Sequence, residues 1–336
     1  MIDPARMQGV ADGVSAGGRG RVLVTGATGF VGRALVPALQ ARGWRVRAAV
    51  RSPGRTAADE EAVVGSLGEP FDWAPALHGV DRVVHLAARV HVMQDSASDP
   101  LAEFRRANVA GTLALARAAA DAGVRRFVFV SSIKVNGEGT REGVPFTADD
   151  PPAPVDPYGV SKREAEHGLS EIGRDTGMEV VVVRPPLVYG PGVKANFQAM
   201  MRWLMRGVPL PLGAVRNRRT LVGIDNLVDL IATCLEHPAA AGEVFLAGDD
   251  EDLSTSELLR RLASALGVRA RLLPVPAALL EAAAALLGKR AVARRLCGNL
   301  QVDIGKARRL LGWAPPVPVD EGLRRTAAHF LGQRRS

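Results

Sequence analysis

The sequence predicts an α/β fold: a doubly wound parallel sheet followed by a smaller C-terminal α/β lobe. Three observations carry this. Near-continuous apolar runs alternate with helical patterns from Arg21 to about Arg184. A glycine-rich turn, Thr25-Gly26-Ala27-Thr28-Gly29-Phe30-Val31-Gly32, joins the first run to the first helical pattern. The alternation then stops at Pro185-Pro186. Strands that are apolar on both faces need helices on both faces of their sheet. Alternating with helices at this spacing, they form βαβ units of the Rossmann type.

Taken in order, the strand-like runs are VLVT (22–25), VRAAV (46–50), DRVVHLA (81–87), FVFVS (127–131) and EVVVVR (179–184), with one more strand expected before Gly65. Val31, Ala34, Leu35, Ala38 and Leu39 recur at helix spacing, and Pro37 is expected to kink that helix. Leu101 to Ala122 is rich in Ala and Leu and is stopped by Gly123. Beyond Pro186 come a loop and an amphipathic helix, then short elements with Pro-rich breaks at 274–276 and 315–318. The expected organisation is a disordered tail (1–20), a dinucleotide-binding domain (21–185) and a substrate lobe (186–333) interleaved with it.

Composition narrows the class. The apolar fraction is 47% and the charged fraction 23%, which is ordinary globular usage. A chain of 336 residues can bury a large core without disulfides. The formal charge is +8. Arg42, Arg45, Arg47, Arg51 and Arg55 form a loose basic group without interleaved aromatics, so no nucleic-acid partner is expected. Cys234 and Cys297 match no metal spacing and make no disulfide framework, which suits a reducing cytoplasm and no metal. The first twenty residues lack the apolar core of a secretory signal. The run AALLEAAAALL (277–287) is too short to span a bilayer and carries Glu281. It reads as a buried or interface helix, with attachment to a membrane surface the alternative.

Glycines at 26, 29 and 32 suit a tight turn, close approach of backbone to a pyrophosphate, and helix–strand packing. The helix N-terminus then offers free N–H groups to the phosphates. Past Val50, where an acid would take the ribose hydroxyls of NAD, stands Arg51, with Arg55 nearby. A guanidinium fits a 2′-phosphate, so NADP(H) is favoured over NAD(H). The alternative is that Arg51 stacks on adenine or is solvated, and NAD binds without a ribose carboxylate. Gly65-Ser66-Leu67 occupies the place of an adenine grip.

Tyr158-Gly159-Val160-Ser161-Lys162 puts a phenol and an ammonium four apart on one helix face. The ammonium is expected to lower the phenol pKa from about 10. Tyr158 then becomes a usable acid or base. Ser132, just past the fifth strand, can hydrogen-bond the same substrate oxygen. A lone Tyr-x-x-x-Lys is common by chance. Here it follows the glycine turn and the serine in the right order on the right elements.

Thr25 to Gly32, Ser132 and Tyr158–Lys162 together resemble the extended short-chain dehydrogenase/reductase superfamily, in its nucleotide-sugar epimerase/dehydratase branch. The resemblance spans roughly residues 20–332 and includes Arg184 to Gly192 and Leu311-Gly312-Trp313-Ala314-Pro315. It implies Ser132, Tyr158 and Lys162 as catalytic residues. It implies a dinucleotide on Gly26, Thr28, Gly29, Phe30, Val31, Arg51, Ser66, Leu67, Leu86, Ala87, Ala88, Ser131, Tyr158, Lys162, Pro185 and Leu187. It implies a nucleoside-diphosphate sugar, UDP-linked, on Ser132, Lys134, Asn196, Arg218, Arg219 and Asp303. Arginine suits a diphosphate because two N–H groups bind it in a fork. A homodimer through helices 101–122 and 157–176 is usual for the family.

Three reactions share this machinery. The family's 4,6-dehydratases carry Asp-Glu after the active-site hydroxyl residue, where this chain has Ile133-Lys134. Its 4-epimerases usually have an acid after the second strand and Tyr in a V-Y-G, where this chain has Arg51 and Val135-Asn136-Gly137. SSIKVNGE and RPPLVYGPGVKANF are similar to bacterial reductases of UDP-4-keto-6-deoxy-N-acetylhexosamines, which supply surface polysaccharide and lipopolysaccharide. The expected activity is therefore NAD(P)H-dependent reduction of a C4 ketone on a UDP-sugar; the alternative is an NAD-dependent UDP-sugar 4-epimerase. Sterol-type or flavonoid-type reductases share the triad, while a cofactor-sensing regulator would be expected to lose Tyr158 or Lys162.

Overall fold

The computed structural model describes residues 19–90, 99–288 and 290–333. The tail expected over 1–20 lies outside the described residues up to position 18. Arg19 N donates to Gly43 O at 3.3 Å and its guanidinium pairs with Glu236.

The strands are β1 (Arg21–Thr25), β2 (Arg45–Val50), β3 (Glu60–Val63), β4 (Arg82–His85), β5 (Arg126–Val130), β6 (Glu179–Arg184), β7 (Leu187–Tyr189), β8 (Arg219–Gly223), β9 (Val244–Leu246) and β10 (Asp252–Leu253). The helices are α1 (Phe30–Ala41), α2 (Ala74–Leu77), α3 (Pro100–Phe104), α4 (Gly111–Asp121), α5 (Pro157–Thr176), α6 (Ala195–Arg206), α7 (Ile224–Glu236), α8 (Thr255–Ala265), α9 (Ala277–Leu286), α10 (Arg290–Cys297), α11 (Gly305–Leu311) and α12 (Val319–Gly332).

Seven strands form one sheet in the order β3-β2-β1-β4-β5-β6-β9, every pair parallel. Alternate side chains supply two cores. Val22, Val24, Val46, Val84, Val128 and Val181 face α1 and α7. Leu23, Val83, Phe127 and Phe129 face α2, α4 and α5 through Leu77, Leu115 and Leu169. Each such side chain contributes roughly 1.5–3 kcal/mol on burial. The strand order reverses between β1 and β4, the crevice where doubly wound sheets bind ligands.

Two helices differ from expectation. α1 runs through Pro37, which faces solvent, and continues to Ala41 without a break. The helix expected over 101–122 is interrupted by a π-helical turn, Arg105–Ala110, between α3 and α4. The strand expected over 81–87 ends at His85, and Leu86 to Ala88 turn away at the sheet edge.

The smaller lobe is built on the sheet β10-β8-β7, with β7 parallel and β10 antiparallel to β8. α6, α8 and α12 close over it around Tyr189, Phe197, Leu221, Leu262 and Leu323. Between visits to this lobe the chain returns to the large sheet: α7 packs beside α1, and β9 extends the edge at β6. The apolar run 277–287 is not buried. α9 has no buried residue, because it projects with α10 as a hairpin and the rest of the fold offers it no apolar bed.

Candidate active site

All strands of the large sheet point one way, so the carboxyl ends of β1 to β6 gather on one edge. At β1, Gly26 has φ +69°, and a Cβ there would lie 2.8 Å from Ala87 N. A Cβ on Gly32 would lie 2.3 Å from Gly26 O and 2.6 Å from Ala27 Cα. Only glycines let the turn, the end of β4 and α1 approach this closely. α1 begins at Gly29 with no side-chain cap and no acid in its first turn, and Thr28 and Gly29 are exposed. Its N–H groups are therefore open to an anion. Phe30 and Val31 follow in that first turn.

Leu86, Ala87 and Ala88 border this turn from β4: Leu86 N donates to Thr25 O at 3.3 Å and Ala87 N to Thr25 Oγ1 at 3.2 Å. Ser66 and Leu67, half-buried beyond β3, are held against the start of α4, where a Cβ on Gly111 would lie 2.7 Å from Gly68 N. The loop after β2 is shaped by Glu61, whose carboxylate accepts from Gly54 N and Thr56 N and Oγ1. These bonds hold it below the usual carboxylate range. The basic group is mostly neutralised. Arg45 and Arg47 pair with Glu60, and Arg42 pairs with Asp229. Arg51 and Arg55 are exposed and make no ion pair among the described residues.

At the end of β5, Ser131 is buried, and its Oγ has no hydrogen-bond partner among the described residues. An orphan hydroxyl, a glycine cradle and an uncapped helix end on one edge fit a dinucleotide lying across it. Ser132 caps the short 3₁₀ turn Ile133–Val135, accepting from Lys134 N at 3.3 Å. Ile133 N donates to Pro185 O at 3.0 Å, tying this turn to the end of β6 beside the exposed Leu187.

α5 starts alongside. Asp156 caps it by accepting from Gly159 N at 2.7 Å, and a Cβ on Gly159 would lie 2.9 Å from Lys134 O. Tyr158 meets the Phe104 ring edge-to-face at 6.0 Å. Lys162 is buried and donates to Val130 O at 2.9 Å, with Nζ 4.3 Å from the Phe129 ring centroid and 6.0 Å from that of Tyr158. The expected lowering of the phenol pKa is not what this arrangement produces. Burial pushes Tyr158 up, and the Asp156 charge adds to it. Burial also pushes Lys162 down to about 7, against the opposing pull of Glu166.

Sequence reasoning missed the supports of this site. His85 is buried, with Nδ1 2.7 Å from Thr25 Oγ1 and Nε2 3.0 Å from Thr112 Oγ1. Burial, with the Lys162 charge adding to it, lowers it to about 3 and keeps it neutral. Asn108, on the π turn, donates to Arg89 O and Ser161 Oγ and accepts from Arg89 N. Glu166, one turn beyond Lys162, binds Arg184 through two hydrogen bonds of 3.0 and 2.6 Å. Arg184 also reaches Asn136, which holds Thr147 O. A histidine closing an apolar strand and an asparagine inside an Ala-rich helix were the available signals.

The second-lobe residues are less concentrated. Lys134 is tied to Asp156 and lies 3.4 Å from Glu138. Arg218 lines a groove of about 580 Å³ with Arg216, Asn217, Asp252, Glu257 and Arg260. Arg216 and Arg218 are exposed and unpaired among the described residues. Arg219 donates to Gly298 O at 3.0 Å, and burial lowers its pKa, with the Arg295 charge adding to the effect. Asn196 is exposed on the first turn of α6, after Ala195 at φ +54°. Asp303 is exposed and accepts from Gly305 N at 2.6 Å where α11 begins. Neither Asn196 nor Asp303 lines the groove.

This sheet, glycine turn and Ser–Tyr–Lys edge define a short-chain dehydrogenase/reductase-type enzyme. The chain belongs to the NAD dependent epimerase/dehydratase family, whose profile matches residues 22–248. Among individual proteins, it is similar to a UDP-glucose 4-epimerase of Vibrio cholerae: 48% identical over 312 residues, 92% of this chain and 95% of the relative. A short-chain dehydrogenase/reductase superfamily protein from Agrobacterium tumefaciens with bound NAD matches at TM-score 0.75 and 27% identity, over 94% of this chain and 98% of that one. MoeE5 in complex with UDP-glucuronic acid and NAD matches at TM-score 0.74 and 27% identity, over 94% of this chain and all (100%) of that one. The protein is thus an enzyme of a nucleotide-sugar-modifying, NAD(P)-dependent family.

Proposed function

We propose that this chain is a UDP-sugar 4-epimerase, which oxidises C4 of a UDP-linked hexose and reduces it again from the other face. The observation that carries this reading is the 48% identity to the Vibrio cholerae UDP-glucose 4-epimerase across 92% of the chain. The geometry supports C4 chemistry. When bound, a nicotinamide dinucleotide supplies the hydride acceptor and donor that this chemistry needs. Gly26, Gly29, Gly32 and the open start of α1 would hold its pyrophosphate, and Ser131 would offer it a buried hydroxyl. In its phenolate form Tyr158 would take the proton from the C4 hydroxyl, becoming the phenol, and would give it back when C4 is reduced. Ser132 hydrogen-bonds the same oxygen. Lys162, lowered to about 7 and so still partly protonated near neutral pH, supplies the positive charge that favours this phenolate against the effect of burial. Arg216, Arg218 and Arg219 suit the diphosphate of the substrate.

A second reading, reduction of a 4-keto-6-deoxy UDP-sugar by NADPH for surface polysaccharide, is favoured by one observation. Arg51 stands exposed, without an ion pair among the described residues, where a 2′-phosphate would sit, while Arg42, Arg45 and Arg47 are neutralised. Hydride accounting separates the two. An epimerase interconverts UDP-glucose and UDP-galactose, or their N-acetyl counterparts, without net change in cofactor. A reductase consumes one NADPH per product, requires a keto sugar and leaves UDP-glucose untouched. Protein purified without added cofactor is expected to epimerise. Turnover only with UDP-4-keto-6-deoxy-GlcNAc and NADPH would establish the reductase.

A further inference from the structure

α9 and α10 form a hairpin whose two feet stand at the groove. On the entry side, Leu273 N donates to Leu210 O and Gly213 N to Leu273 O, both at 2.8 Å. On the exit side, Asn217 Nδ2 donates to Leu296 O and Gly298 O. Among the described residues, no hydrogen bond from outside the hairpin holds residues 286–288 at its tip. Leu286 and Leu287 stand there 89% and 72% exposed, with Leu279 and Val292 exposed on the flanks. Nine of the ten residues of α9 are Ala or Leu, yet none is buried. An apolar surface of this kind marks a contact site.

The charge around the tip says what covers it. In the hairpin sequence from Pro274 to Gly298 the only acid is Glu281, against Lys289, Arg290, Arg294 and Arg295. Arg290, Arg294 and Arg295 are exposed and make no ion pair among the described residues. Other surface arginines find carboxylates, as in Arg105–Glu164, Arg308–Asp250 and Arg325–Glu321, while Arg51, Arg55, Arg216 and Arg218 do not among the described residues. A second copy meeting this patch through a two-fold axis would set cation against cation. A lipid surface with anionic headgroups satisfies both the leucines and the arginines. No helix among the described residues is long and apolar enough to cross a membrane.

We propose that the α9–α10 hairpin docks the enzyme on anionic phospholipid surfaces. Leu286 and Leu287 enter the boundary between headgroups and acyl chains, and Arg290, Arg294 and Arg295 meet the phosphates. Because its feet adjoin the groove, docking holds the groove beside the bilayer. The proposal stands whichever C4 reaction the site performs.

The test is flotation of the full chain with vesicles of three parts phosphatidylcholine to one part phosphatidylglycerol, against vesicles of phosphatidylcholine alone. Binding is expected to be about tenfold or more stronger on the anionic vesicles and to weaken as salt is raised. Leu286→Glu with Leu287→Glu is expected to abolish binding while turnover in solution stays at the parental level. Arg290→Glu with Arg294→Glu is expected to remove the preference for anionic lipid. Failure to bind anionic vesicles overturns the proposal, as does undiminished binding by the double glutamate variant. Concentration-dependent self-association in sedimentation velocity, lost in that variant and unaccompanied by vesicle binding, would assign the patch to a second copy instead.

Discussion

Tyr158 and Lys162 show how one helix turn can set up proton chemistry while the surroundings decide the proton's affinity. Burial raises the phenol and lowers the ammonium to about 7, so in the protein alone each group is moved toward its neutral form. Tyr158→Phe keeps the ring against Phe104 and removes the proton. Turnover is expected to fall by about 10² or more, with dinucleotide affinity unchanged by titration. Arg51→Asp puts a carboxylate where a 2′-phosphate would sit, and is expected to weaken NADPH far more than NADH in direct binding measurements. His85 adds a pH dependence. Its folded pKa of about 3 lies below the ordinary histidine value of 6.5, so the unfolded chain takes up a proton first as pH falls. The stability it contributes is present above about pH 6.5 and is lost as pH falls toward about 3. Denaturant midpoints measured across that window should decline less steeply for His85→Gln than for the parent.

At the scale of elements, α1 depends on a contact that tolerates no Cβ. In Gly32→Ala the methyl would meet Gly26 O and Ala27 Cα, both backbone, so the helix must move off the turn. A loss of roughly 1–3 kcal/mol is expected in urea unfolding, together with weaker dinucleotide binding. The π turn at Arg105–Ala110 is a second local departure. It carries Asn108, whose side chain holds both backbone groups of Arg89 and reaches Ser161 on α5. Periodicity sees an Ala-rich helix there. It cannot see a one-residue change in winding, because the bonds that accompany it are made to other elements.

Across the whole molecule, Asp249 joins the two sheets. Its carboxylate accepts from Tyr189 Oη at 2.8 Å, Gly223 N at 2.8 Å and Asn226 Nδ2 at 2.7 Å. Asn226 and Tyr189 in turn reach the start of α12 through Val317 O, just before it, and Val319 O, its first residue. Every partner donates, so Asp249→Asn turns an amide N–H toward a donor. A cost of roughly 1–3 kcal/mol is expected, read as a lower Tm with both lobes still melting together.

The sequence by itself determined β1, β2, β4, β5 and β6, the glycine turn, and the succession Ser132, Tyr158, Lys162. Each is written within a strand or a few helix turns: continuous apolar residues for a sheet covered on both faces, glycine where backbone meets backbone, and a four-residue spacing for a shared helix face. Only the tertiary structure decided which charges remain free and which apolar run remains wet. Arg42 is neutralised by Asp229 and Trp44 is held by Glu236, partners nearly two hundred residues away, while Arg51 in the same basic group finds none among the described residues. α9 reads as apolar as any core helix and is exposed, and α7 and β9 leave the second lobe to complete the first sheet. Burial and ion pairing are sums over neighbours contributed by distant parts of the chain, and no local pattern contains them.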